Sequence, residues 1–134
     1  MNKLVIALFA IMLLLTMISF QKKPAFDLKA SIARGQEIYL AQCITCHMEA
    51  GDGVEGVYPP LAKADYLMAD KRRSVMQVLK GMNGPMKVNG KSYDAEMTAF
   101  DLSDQETSDV LNYIRNSWGN KGEVVRPEEV KAAR

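Results

Sequence analysis

The stretch Cys43-Ile44-Thr45-Cys46-His47 contains both cysteines and the lone histidine of a 134-residue chain. Such rare residues gathered into five positions limit the chemistry sharply. A zinc site needs four ligands, or three and a water, and would have to recruit carboxylates around these three residues. A thioredoxin-type redox pair needs C-x-x-C within an alternation of strands and helices, and the sequence lacks the strands. Two cysteines allow one disulfide at most, which is no disulfide scaffold, and a bridge across two residues leaves His47 without a role. A triad built on histidine has only His47 to use.

C-x-x-C-H is the attachment signature of c-type haem. Two thiols three residues apart can each add to a haem vinyl group, and the next residue then lies under the iron as its fifth ligand. The expected site is therefore Cys43 and Cys46 as covalent anchors and His47 on the metal. A second histidine ligand is impossible within this chain, so the natural sixth donor is a methionine thioether. Six methionines lie beyond the N-terminal segment. Met48 adjoins His47 and cannot reach the opposite face. Met68 and Met76 fit as core filler in or near a helix. Met82, Met86 and Met97 fall in loops and remain candidates.

Working outward, the pattern is helical. A helix is expected from an N-cap at Ser31, with Ile32, Gly35, Ile38 and Tyr39 on one face. Gly35 on that face points to close approach by another helix. Gly51 to Leu61, with three glycines and Pro59-Pro60, reads as a loop. A second helix is predicted from Asp70 to Lys80, with Val75, Val78 and Leu79 as its stripe and Gly81 as its stop. Asn89-Gly90 between two short β-type runs, residues 86–88 and 91–93, predicts a small hairpin. Ser103-Asp104-Gln105-Glu106 is a capping box opening a third helix. Val110, Leu111, Ile114 and Trp118 follow at helical spacing, and Gly119-Asn120 ends it. Pro127 opens a short terminal helix. The fold class is all-α.

The N-terminus is different. Leu4 to Phe20 runs 17 residues with only Thr16 and Ser19 as polar interruptions. Residues 1–20 read as an export segment, either a cleaved signal peptide or an uncleaved membrane anchor flanked by Lys22 and Lys23. Either form implies an extracytoplasmic, periplasmic location. Removing these residues leaves 114, enough for one small core, which haem is expected to complete. The 16 acids and 17 bases nearly cancel, and without Lys3 they balance, so binding to nucleic acid driven by net positive charge is excluded. Lys71, Arg72, Arg73, Lys80, Lys87 and Lys91 read mainly as a solvated face, with a basic docking rim as the alternative.

From Ile32 to Asn120 the sequence resembles a class I cytochrome c of the small bacterial, single-haem kind. The resemblance rests on the haem motif, on Gly35 and Tyr39 with Val110 and Tyr113, on Pro59-Pro60-Leu61, and on Met97 ahead of the capping box. It implies a cytochrome c-like fold in which the N- and C-terminal helices cross around a covalent haem. It also implies that the Pro59 carbonyl accepts from His47 Nδ1–H and that Met97 is the sixth ligand. Thr98 stands where the family commonly has proline, which leaves that loop less rigid. The implied organisation is a linker over 21–30, the cytochrome domain over 31–120 and a tail over 121–134.

The implied function is electron transfer between respiratory or periplasmic redox partners such as an oxidase, reductase or dehydrogenase, with no enzymatic activity. Residues 78–97 also resemble cytochrome domains found beside oxidases and dehydrogenases, which keeps open a haem-relay subunit fixed in one complex. A peroxidase or sensor with a labile sixth ligand is a third reading.

Overall fold

A computed structural model of the chain describes residues 2–5, 9, 12 and 25–134. Most of the proposed export segment and the start of the linker lie outside the described residues. Among the described residues no helix is long and apolar enough to cross a membrane.

Helix α1 spans Leu28–Gln42. It begins four residues earlier than a cap at Ser31 suggested, because Asp27 takes the cap and accepts from Ala30 N at 3.0 Å. Aspartate caps as well as serine. Ser31 lies instead in the helix's first turn, fully buried, where its hydroxyl donates to Asp109 at 2.6 Å. One short turn, α2 (Ile44–His47), follows Cys43. Helix α3 (Asp65–Ala69), only five residues long, escaped the sequence reading. Helix α4 (Lys71–Lys80) is capped by Asp70, which accepts from Arg73 N at 2.9 Å, and it stops at Gly81.

Strands β1 (Met86–Val88) and β2 (Lys91–Tyr93) pair antiparallel, with Met86 opposite Tyr93. Asn89 and Gly90 both take positive φ, as a tight hairpin turn requires. The hairpin tip is pinned to α3: Asn89 N donates to Asp65 Oδ1 at 2.7 Å, and Asp65 N to Asn89 Oδ1 at 3.0 Å.

Helix α5 spans Asp104–Ile114, and both halves of its capping box are present. It ends earlier than the periodicity indicated. Asn116 and Ser117 side chains turn back onto the carbonyls of Asn112 and Tyr113, and Trp118 sits beyond with φ +51°. Helix α6 (Pro127–Ala133) closes the chain and packs on α4 and α5. Val125 and Val130 are fully buried there, so the tail is part of the core.

The centre of the fold is the crossing of α1 and α5. A Cβ on Gly35 would stand 1.9 Å from Asp109 O, so only glycine lets the two backbones meet. Around that contact Asp109 accepts from Ser31, from Arg34 Nε at 2.6 Å and Nη2 at 2.8 Å, and from Gln105. A buried carboxylate is tolerable when paired and hydrogen-bonded in this way. Asn112 extends the network to Ser31 Oγ and Val125 O.

Candidate functional site

Local backbone geometry sets the haem motif. His47 N donates to Cys43 O at 3.0 Å and Met48 N to Ile44 O at 2.8 Å, winding the motif into one helical turn. Positions i, i+3 and i+4 share a helix face, so Cys43, Cys46 and His47 point the same way. The loop after the motif curls back on itself, with Leu61 N and Ala62 N both donating to Gly51 O. That curl carries the Pro59 carbonyl to 3.0 Å from His47 Nδ1. Two further bonds hold the exit of the motif: Tyr39 Oη donates to Met48 O at 2.5 Å, and Trp118 Nε1 to Glu49 O at 3.1 Å. Tyr39, Tyr113 and Trp118 pack as a tilted and edge-to-face cluster with ring centroids 5.1–5.4 Å apart. Trp118 is thus a packing residue, delivered by a turn rather than by the helix.

The electrostatics favour a neutral donor. Burial lowers the His47 pKa, outweighing the opposite effect of the Pro59 bond. A carbonyl oxygen only accepts, so Nδ1 carries the proton and Nε2 of the neutral ring keeps its lone pair. Burial, and secondarily Cys46, pushes the Cys43 thiol up to about 11. Burial also raises the Tyr39 phenol, which stays a donor.

These residues border a cleft with two lobes. One has about 740 Å³ of empty space counting its mouth, and its walls include Cys43, His47, Val78, Met97, Phe100 and Leu111. The other, about 850 Å³ on the same basis, is bordered by Cys46, Met82, Tyr93 and Thr98 among others. Cys43, His47, Pro59, Met86, Met97 and Phe100 border both lobes.

The methionines separate by position. Met97 is stitched to the end of α4: its N donates to Met82 O at 2.9 Å, and Met82 N to Met97 O at 2.8 Å. Gly81, with φ +74°, permits this, since a Cβ there would be 2.3 Å from Met97 O. Met86 sits on β1. Met82 Sδ accepts from Gln77 Nε2 at 3.1 Å. Met68 and Met76 pack against the core, and Met48 is partly exposed. The contributions of Gln77 and Phe100 to the walls carry no sequence signal, whereas Val78 was already visible in the α4 stripe.

Three of the six basic residues are engaged locally. Lys71 pairs with Glu129 at 2.6 Å and donates to Val124 O. Arg73 lies over the Tyr66 ring and donates to Tyr66 O. Lys91 pairs with Glu55 at 2.6 Å.

Two thiols, a neutral imidazole and apolar walls fit covalent haem, and with the crossing helices they define a c-type haem protein. Residues 32–118 match the Cytochrome c family. The chain is 38% identical over 112 residues to "Cytochrome c-552" of Thermus thermophilus, covering 76% of this chain and 85% of that one. It is also 38% identical over 88 residues to "Alcohol dehydrogenase (quinone), cytochrome c subunit" of Gluconobacter oxydans, covering 64% of this chain and 18% of that one. A third relative is "Cbb3-type cytochrome c oxidase subunit FixP" of Bradyrhizobium diazoefficiens, 29% identical over 103 residues, with 74% of this chain and 34% of that one covered. This chain belongs to the cytochrome c family and is an electron-transfer protein carrying covalently bound c-type haem.

Proposed function

We propose that this protein is a single-electron carrier working outside the cytoplasmic membrane, with Cys43 and Cys46 as thioether anchors and His47 and Met97 as axial ligands. The observation that supports it most directly is the His47 ring, held at Nδ1 by Pro59 O at 3.0 Å, in a cleft that Cys43, Cys46 and Met97 also border. The haem supplies reversible one-electron chemistry at its iron when bound. The chain's own residues do the rest. Pro59 fixes the His47 ring and raises its basicity toward metal. Met97 contributes a soft thioether, which raises the reduction potential. Val78, Phe100 and Leu111 line the walls with apolar surface and exclude water. With haem bound, His47 and Met97 would both hold the iron and leave no place for substrate, which supports a carrier rather than an enzyme. The export segment over residues 1–20 supports the location, as cleaved signal or retained anchor.

Proton NMR of the reduced protein tests the ligand set. The methionine on the iron has its ε-methyl strongly shifted upfield by the haem ring. We expect that resonance to be assigned to Met97; assignment to Met82 or Met86 in the unaltered protein would overturn the choice.

A second reading is a haem relay fixed in a dehydrogenase or oxidase complex. It is favoured by the 38% identity to a dehydrogenase cytochrome subunit. Purification under mild detergent discriminates: a free carrier elutes alone, and a relay elutes with one redox partner at fixed ratio.

A further inference from the structure

The isolated antiparallel bridge between residues 82 and 97 sets two methionines directly opposite each other. Directly opposed residues project to the same face, with Cβ atoms about 4.5–5.5 Å apart. Both side chains border the lobe that also holds Cys46 and His47. Two identical soft donors thus face one histidine-bearing cavity from a single backbone unit. They differ in how they are held. Of the two, only Met97 also borders the other lobe. Met82 Sδ is tied to Gln77 Nε2 at 3.1 Å. Thioether sulfur is a weak acceptor, so that tie is light.

We propose that Met82 is a reserve axial ligand, taking the sixth position when Met97 leaves it. The inference rests on the reading of Met97 as the resident ligand. The exchange breaks one iron–sulfur bond, forms another and releases the Gln77 hydrogen bond; no proton or electron moves. Oxidation of Met97 by a peroxide, which passes one oxygen atom to the sulfur and leaves as water or alcohol, is one event that calls on the reserve, because it turns a soft apolar donor into a polar group. Met86 is less suited, since it sits on the hairpin opposite Tyr93 rather than opposite Met97.

The experiment uses haem-loaded, reduced Met97→Ala with labelled and assigned methionine methyls. The expected result is an upfield-shifted methyl belonging to Met82. Carbon monoxide binding should be slower than in Met97→Ala/Met82→Ala by about tenfold or more, because the internal ligand occupies the site. Met97→Leu, which keeps the buried volume, carries the same measurement if the alanine protein does not fold. A Met97→Ala protein with no shifted methyl and carbon monoxide binding as fast as the double variant overturns the proposal. So does a shifted methyl belonging to Met86. If the shifted methyl of the unaltered protein already belongs to Met82, the reading of Met97 is what fails, so the two failures are distinguishable.

Discussion

Two faces of α5 meet their neighbours in opposite ways. On one, Asp109 touches Gly35 through its backbone and collects hydrogen bonds from Ser31, Arg34 and Gln105. Asn112 beside it bonds Ser31 and the tail at Val125. On the other face, Val110, Leu111 and Ile114 look into the cleft. The far wall, residues 82–102, closes on itself through the Met82–Met97 bridge. Phe100 N to Val78 O at 3.0 Å, the paired Asn89–Asp65 bonds, Lys91 on Glu55 and Arg134 on Leu102 O join it to the rest. The crossing is completed by protein, and the wall is completed by the group it encloses. The two regions should therefore respond differently when haem or a single glycine is changed.

Removing haem has the largest expected effect. In Cys43→Ala/Cys46→Ala, the wall loses the group that fills the space between its side chains. Small domains are marginal, and unfilled apolar space lowers stability further. Amide hydrogen exchange should show protection lost across residues 65–102, with what survives confined to α1 and α5. Equal protection in both regions would abolish the distinction between them.

Two glycines separate the regions more finely. Gly35→Ala drives a methyl into the Asp109 carbonyl, and neither backbone can yield. A loss of about 3 kcal/mol is expected, at the upper end of overpacking penalties. It should appear as a lower Tm, with the iron–sulfur charge-transfer band of the folded fraction unchanged. Gly81→Ala places a non-glycine residue at φ +74°, ψ −171°, and crowds Met97 O. That strain is worth about 1–3 kcal/mol and falls on the wall alone. Its mark should be a weakened charge-transfer band with a smaller change in Tm. If Gly81→Ala lowered Tm as much as Gly35→Ala while leaving the band intact, the wall would be as self-sufficient as the crossing.

How far each region was legible in the sequence follows the same division. The crossing was readable because its determinants are local and periodic: Gly35 and Tyr39 on one helix, Tyr113 on the other, and a capping box at Ser103; Val110, expected on the same face, borders the cleft instead. The haem motif was readable because its residues are rare and adjacent. The misreadings came where tertiary contacts override local preference. Ser31 looked like a cap, but Asp27 is a better-placed one, and the Ser31 hydroxyl is taken by Asp109. Trp118 fell at helical spacing, yet side-chain bonds from Asn116 and Ser117 end the regular helix and swing the ring onto Tyr39. Helix α3 is too short for any period to show. Gln77 against Met82, and Met82 opposite Met97, depend on a bridge between loops that no local pattern announces.

The smallest expected effect concerns the one element both regions share. Glu106 accepts from Ser103 N at 2.9 Å and Ser103 Oγ at 2.6 Å, and these bonds hold its pKa below the ordinary value. A carboxyl depressed in the folded state contributes stability above its unfolded pKa of about 4.3, and that contribution is lost as pH falls through the folded value. Glu106→Gln should therefore melt slightly lower than the unaltered protein at pH 7, and the gap should narrow as pH falls below about 4.3. Because the capping box begins the helix that serves both crossing and cleft, the two regions should soften together. Melting followed at the Tyr39–Tyr113–Trp118 cluster and at the charge-transfer band should then shift by the same amount. A gap that does not narrow at all as the pH is lowered would mean that Glu106 acts through packing and not through its charge. A shift confined to the band would mean that the start of α5 belongs to the cleft wall rather than to both regions.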